Sequence, residues 1–130
     1  MCCIYPTAPF VTGEKLKEGL DLLKKHNALE AMPVVQFSYP PQRAFVINSD
    51  NQMEYKEKQY ITARSQDLRK EYHDAGQFYF YNISQYLKIN GKIETGIVPI
   101  IVSEMEVQDI DNEDDWKLAE LKYSLLKRKE

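Results

Sequence analysis

Two aspartates separated by one residue, Asp109 and Asp111, lie in the stretch VQDIDNEDDWKLAELKY, Val107 to Tyr123. Along an extended segment alternate side chains share a face, so both carboxylates are aimed to one side while Ile110 turns inward. Two negative charges brought together cost free energy unless a cation offsets them. Hard carboxylate oxygens suit Mg²⁺, which commonly takes one or two carboxylates together with substrate phosphates. The chemistry this spacing points to is metal-assisted phosphoryl or nucleotidyl transfer. A second reading of the same junction is helix capping. Asp111 or Asn112 can accept from the first free backbone N–H groups, and Glu113, Asp114 and Asp115 offset the positive helix end, matched by Lys127, Arg128 and Lys129 at the other end. A Ca²⁺ loop fails on the residue types, because Asp114 stands where a glycine must make the sharp turn.

The elements that must position these residues follow from the hydrophobic pattern. Cys2 to Tyr5 reads as a short apolar strand running into PTAPF, where two prolines bar both helix and pairing. Thr12 precedes GEKLKEGLDLLKKHN, whose Leu16, Leu20 and Leu23 recur at helical spacing, with Glu14 early and Lys24, Lys25 and His26 late. PVVQFSY, RAFVIN and MEY read as strands joined by polar turns. KEKQYITARSQDLRKEYHD has no clean period and reads as a long ordered loop or arm. AGQFYFYN is an aromatic strand, ISQYLKIN a short helix closed by Gly91, and GIVPIIVS a buried strand interrupted by Pro99. A last helix runs from about Asn112 to Lys127. This order predicts an α/β fold in three layers. In such sheets ligands gather beyond the carboxyl ends of strands, where PTAPF and QDID both fall.

The chain has 130 residues, which fits one domain over 1–130, and 43% hydrophobic with 28% charged residues is a globular balance. No apolar run is long enough to span a bilayer and no secretory signal opens the chain, so the cytoplasm is the expected compartment. Cys2 and Cys3 are adjacent, which suits neither an ordinary disulfide nor a metal site. The formal charge of −3 is mixed in sign and carries no basic stripe, so neither nucleic acid nor membrane is an expected partner.

CCIYPTAPF, YPPQRAF, RSQDL, YHDAGQFYF and VQDIDNEDDWKLAELKY, in this order and at these separations, resemble the acylneuraminate cytidylyltransferases. They are most similar to the pseudaminic acid cytidylyltransferase branch, and the resemblance spans essentially the whole chain. It implies a partial Rossmann-like nucleotide-diphospho-sugar transferase sheet, and an enzyme that joins the CMP part of CTP to a nonulosonic acid with Mg²⁺ and releases pyrophosphate. Asp109 and Asp111 match the family's metal-binding, catalytic Asp-x-Asp. Tyr5 stands where many sialic acid members carry a glutamine, which favours pseudaminic acid. Thr7 would face the sugar or serve as a turn hydroxyl. Arg64 and Gln66 match a substrate segment in which an arginine suits the sugar carboxylate. Gly76 would permit close ligand approach and Tyr79 would line the pocket, with Ala75 replacing a family asparagine. The segment Gln42 to Gln66 matches a dimerisation arm, so a homodimer is expected. A family segment resembling ARxxSKxxxxKN, which holds the triphosphate, has no counterpart in these residues, and on that basis this chain alone is expected to be inactive. Two other readings stay open. One is a non-catalytic dimerising or binding module built on the arm; the other is a cytidylyltransferase for N-acetylneuraminate or a related sialic acid.

Overall fold

The Leu16, Leu20, Leu23 spacing becomes helix α1 (Gly13–Lys25), opened by Thr12, whose hydroxyl accepts the Lys15 N–H at 3.2 Å. Around it, in a computed structural model describing residues 1–128, the chain forms strands β1 (Cys2–Ile4), β2 (Glu30–Gln36), β3 (Phe45–Ile47), β4 (Met53–Tyr55), β5 (Tyr72–Asp74), β6 (Phe78–Tyr81) and β7 (Ile97–Ile101). Helix α2 (Ile83–Lys88) follows β6, and helix α3 (Glu113–Lys127) follows β7. Lys129 of the expected basic helix end lies outside the described residues. The chain divides into two compact units, Met1–Val35 with Asp74 onward, and Gln36–His73.

In the first unit β6 runs antiparallel to both β1 and β2, with Tyr79 opposite Cys3 and Phe80 opposite Ala31. β7 runs parallel to β2, with Val98 beside Ala31 and Ile100 beside Pro33. β1, β2 and β7 therefore point one way and β6 the other, giving a mixed rather than a parallel sheet in an α/β arrangement. The direction of β6 matters for function. Its entrance, at Asp74 to Gln77, lies at the same end of the sheet as the exits of β1 and β7.

Strand alternation sorts the side chains by face. Phe78, Phe80, Ala31 and Ile100 point toward α1, which approaches so closely at Gly19 that a Cβ there would stand 2.9 Å from Ile100 and 3.1 Å from Phe80. Phe78, fully buried, meets Phe80 edge to face at 5.9 Å between ring centres. Tyr79, Tyr81 and Glu30 take the opposite face, where Tyr86 of α2 packs on Tyr81 at 5.2 Å. β7, expected to be a buried strand, is an edge: Ile97 is 41% and Ile101 59% exposed, and only Ile100 reaches the core fully. Pro99 is tolerated there because an edge strand can spare a donor. The outer side of β1 likewise pairs with no strand among the described residues, and Ile4 is 52% exposed.

The second unit contains the β3–β4 hairpin, in which Asn48 Oδ1 accepts from Asp50 and Gln52 N–H, and Phe45 packs on Tyr55 at 4.4 Å. The stretch without a period resolves into 3-10 turns at Lys58–Tyr60 and Ser65–Asp67, followed by β5. Side-chain bonds order it: buried Gln42 donates to the Arg69 carbonyl at 3.0 Å and to Glu71 Oε1 at 2.7 Å. No helix among the described residues is long and apolar enough to cross a membrane.

Candidate active site at one end of the sheet

Tyr5 leaves the end of β1 with its N–H bonded to the Gln77 carbonyl at 2.9 Å. Opposite it, Asp74 closes an Asx turn into β6. Its Oδ1 accepts the Gly76 N–H at 2.8 Å and its Oδ2 accepts the Tyr79 hydroxyl at 2.7 Å. Gly76 sits at φ +62°, a conformation glycine adopts without strain. Tyr79, only 7% exposed, packs on the Tyr5 ring at 5.4 Å. Burial, the bond to Asp74 and the nearby Tyr5 hydroxyl hold the Tyr79 phenol well above the usual range, so it stays protonated and donates. Gly76 and Tyr79 are thus joined by Asp74, a residue the sequence reading did not single out, and Tyr5 is held to them by the Gln77 carbonyl and the Tyr79 ring. The signal was present as an aspartate two places before a glycine, an Asx-turn pattern. One register step along β6, Tyr81 is pushed up to about 12 by burial and then by the Glu30 charge. Burial in turn raises Glu30.

The second part of the site follows β7. Val102 is tied to β2 by its N–H to the Val34 carbonyl at 2.9 Å, and a 3-10 turn, Glu104–Glu106, is boxed by Ser103 and Glu106. The chain then runs back beside α3. At the helix start Asn112 is the cap, accepting from Asp114 N–H at 2.9 Å and Asp115 N–H at 3.1 Å. Asp115 returns the bond to the N–H groups of Asn112 and Asp111. Asp114 pairs with Lys117 at 3.0 Å. Capping is therefore carried by Asn112 and Asp115, while Asp109 and Asp111 are exposed, and their carboxylates take no hydrogen bond or ion pair among the described residues. Ile110 turns the other way, half-buried in an apolar cleft with Pro9, Trp116, Ala119 and Tyr123. This is the alternation expected from the sequence.

Among the described residues no group of three or more His, Cys, Asp or Glu gathers, so Asp109 and Asp111 would offer a cation such as Mg²⁺ two carboxylates and leave the rest of its shell to phosphate and water. Gln77 joins the two halves. Its side chain, 4% exposed, donates to the Glu106 carbonyl, while its own carbonyl holds Tyr5.

No protein-family model matches the chain. Over 125 residues, 96% of the chain, it is 32% identical to a protein of Campylobacter jejuni subsp. jejuni serotype O:2 named pseudaminic acid cytidylyltransferase, of which it covers 54%. Its relatives are pseudaminic acid cytidylyltransferases. The protein of that name from serotype O:23/36 matches with the same identity and coverage. A Helicobacter pylori protein, named pseudaminic acid cytidylyltransferase and UDP-2,4-diacetamido-2,4,6-trideoxy-beta-L-altropyranose hydrolase, is 30% identical over 110 residues, 84% of the chain and 21% of its own length. The chain spans about half the length of the Campylobacter relatives. The resemblance drawn from the five motifs, family and branch alike, is shown by these matches.

Four further residues were singled out on that resemblance. Thr7 is exposed in the turn after β1. Arg64 and Gln66 belong to the second unit, where Gln66 is exposed and Arg64 Nε pairs with Asp67 Oδ2 at 2.8 Å on an exposed surface. Such a pair is worth about 0–1 kcal/mol, so the guanidinium is readily available to another carboxylate. Ala75, in place of the family asparagine, is buried, and its N–H binds the Pro33 carbonyl at 3.1 Å.

Proposed function

We propose that this chain carries the sugar-side and metal-side residues of a cytidylyltransferase that moves CMP from CTP onto pseudaminic acid. The supporting observation is the link made by Gln77 at one end of the sheet: its carbonyl holds Tyr5 beside Tyr79, and its side chain donates to the carbonyl of Glu106, at the start of the loop that goes on to Asp109 and Asp111. In the reaction the sugar's anomeric hydroxyl oxygen bonds to the α-phosphorus, the bond to the β-phosphate oxygen breaks, and a proton and pyrophosphate leave. Asp109 and Asp111 would hold Mg²⁺, which when bound offsets triphosphate charge. Tyr79, its proton committed to Asp74, offers lone pairs to a sugar hydroxyl. Tyr5, half-exposed, offers its ring to the sugar's apolar substituents. Arg64 and Gln66 as sugar ligands, Thr7 facing the sugar, the Gln42–Gln66 arm as a homodimer contact and a cytoplasmic setting belong to the same proposal and rest on the resemblance. The finer fold reading, a Rossmann-like nucleotide-diphospho-sugar transferase sheet, is supported by the common direction of β1, β2 and β7.

The test is pyrophosphate release from CTP, pseudaminic acid and Mg²⁺, by the chain alone and by the chain grafted in place of the matching part of the Campylobacter relative. Release that Asp109→Asn abolishes is the expected result. A folded graft that binds CTP yet releases no pyrophosphate overturns the proposal.

A further inference from the structure

The loop bearing Asp109 and Asp111 is held along a single stripe of α3. At its far end Lys122 Nζ donates to two loop carbonyls, Val107 at 2.6 Å and Glu104 at 3.1 Å. At its near end Asp115 accepts the Asp111 N–H at 3.1 Å. Asp115, Ala119 and Lys122 fall on one helical face, and buried Ala119 lines the same cleft as Ile110 of the loop. The anchors are two turns apart, roughly 10 Å at about 1.5 Å per residue. The chain from Val107 to Asp111 reaches about 13 Å when extended at roughly 3.3 Å per residue. The segment has the reach to span that interval, and Val107 has extended dihedrals, φ −131° and ψ 129°. Between the anchors Ile110 lines the cleft while Asp109 and Asp111 are exposed. A third hold comes from the other side, where Gln77 donates to the Glu106 carbonyl.

We infer that Lys122 is a positioning residue for the cation, with Gln77 in support: its two bonds tie the loop to α3 so that Asp109 and Asp111 are held in place before any metal arrives. The inference rests on the metal role proposed for those two aspartates. It makes a prediction opposite in sign to simple electrostatics. Coulomb's law says that removing a positive charge near a cation site tightens cation binding. Loss of a residue that orients ligands weakens it, typically by about 10-fold or more.

The experiment measures Mn²⁺ affinity of the chain by the electron-paramagnetic signal of free Mn²⁺, for the native sequence, Lys122→Met, Lys122→Arg and Asp109→Asn, with urea midpoints for each. Affinity about 10-fold weaker in Lys122→Met, largely restored in Lys122→Arg, with unchanged core stability, is the expected result. Unchanged or tighter binding in Lys122→Met, while Asp109→Asn weakens it, overturns the inference and leaves the metal role standing. No Mn²⁺ binding by the native chain, or none lost in Asp109→Asn, overturns the metal role and the inference with it. Should Lys122→Met lose its fold, the metal-free native chain decides. Backbone order parameters at Asp109 to Asp111 of about 0.85 support a loop held in place, and values below about 0.6 overturn it.

Discussion

Raising the pH above about 10 should unfold this chain more steeply than its tyrosine content alone implies, and the slope can be assigned to two residues. Tyr79 holds its proton well above the usual phenol range through burial, its bond to Asp74 and the nearby Tyr5, while Tyr81 is pushed up to about 12 by burial and by Glu30. In the unfolded chain both ionise near about 10. Above that pH the folded state binds more protons than the unfolded one, so stability is fully present below about 10 and is lost as pH rises toward the folded values. Each retained proton costs about 1.4 kcal/mol per pH unit, so Tyr79 with Tyr81 sets an upper slope of about 2.7 kcal/mol, less whatever solvent screens at half-buried Tyr81. Tyrosines that titrate alike in both states cancel. With a urea slope of about 1–3 kcal/mol/M, the midpoint should fall by about 1–2 M per pH unit between about 10.5 and 11.5. Urea melts across this range are best run in a Cys2→Ser background, because burial and Cys3 also raise the Cys2 thiol. Tyr79→Phe should cost about 1 kcal/mol at neutral pH through its lost hydrogen bond and flatten the alkaline slope by about half. A Tyr79→Phe chain with the native alkaline slope would refute the reasoning.

Three further outcomes are expected. Asn112→Ala should cost about 1 kcal/mol of stability by removing the cap of α3, whereas Asp109→Asn and Asp111→Asn stay within about 0.5 kcal/mol; equal losses from Asp111→Asn and Asn112→Ala in urea melts would return the junction to capping alone. Gly19→Leu should cost about 1–3 kcal/mol by overpacking α1 against Phe78, Phe80 and Ile100, and an unchanged thermal midpoint would show that α1 can move away. Asp74→Ala should bring the Tyr79 ionisation down, though burial keeps it above the ordinary phenol range; an ultraviolet titration in which it does not move would remove Asp74 from the cluster.

What was legible in the sequence was local. The Thr12 cap, the leucine spacing of α1 and the Asn112 end of α3 depend on neighbours a turn away, and so did the alternation that turned Ile110 inward from Asp109 and Asp111. What was not legible involves partners distant in sequence. Lys122 reaches carbonyls 15 and 18 residues back, and no periodicity marks that. The direction of β6 and the edge position of β7 depend on which strands pair, and an apolar run such as GIVPIIVS looks the same at an edge as in the middle of a sheet. Ala75, seen from the resemblance as a missing polar contact, occupies a buried backbone-bonded place where a small side chain fits.

The exposed side of β1 has a practical consequence. Its two free thiols alternate with the strand, Cys2 on the face of Ile4 and Cys3 on the face of Tyr79, and both are exposed. A strand added along that side would shield one thiol above the sheet and one below it. Alkylation rates at the two cysteines, read separately by mass spectrometry, therefore give a built-in report of whether that edge is covered and from which face.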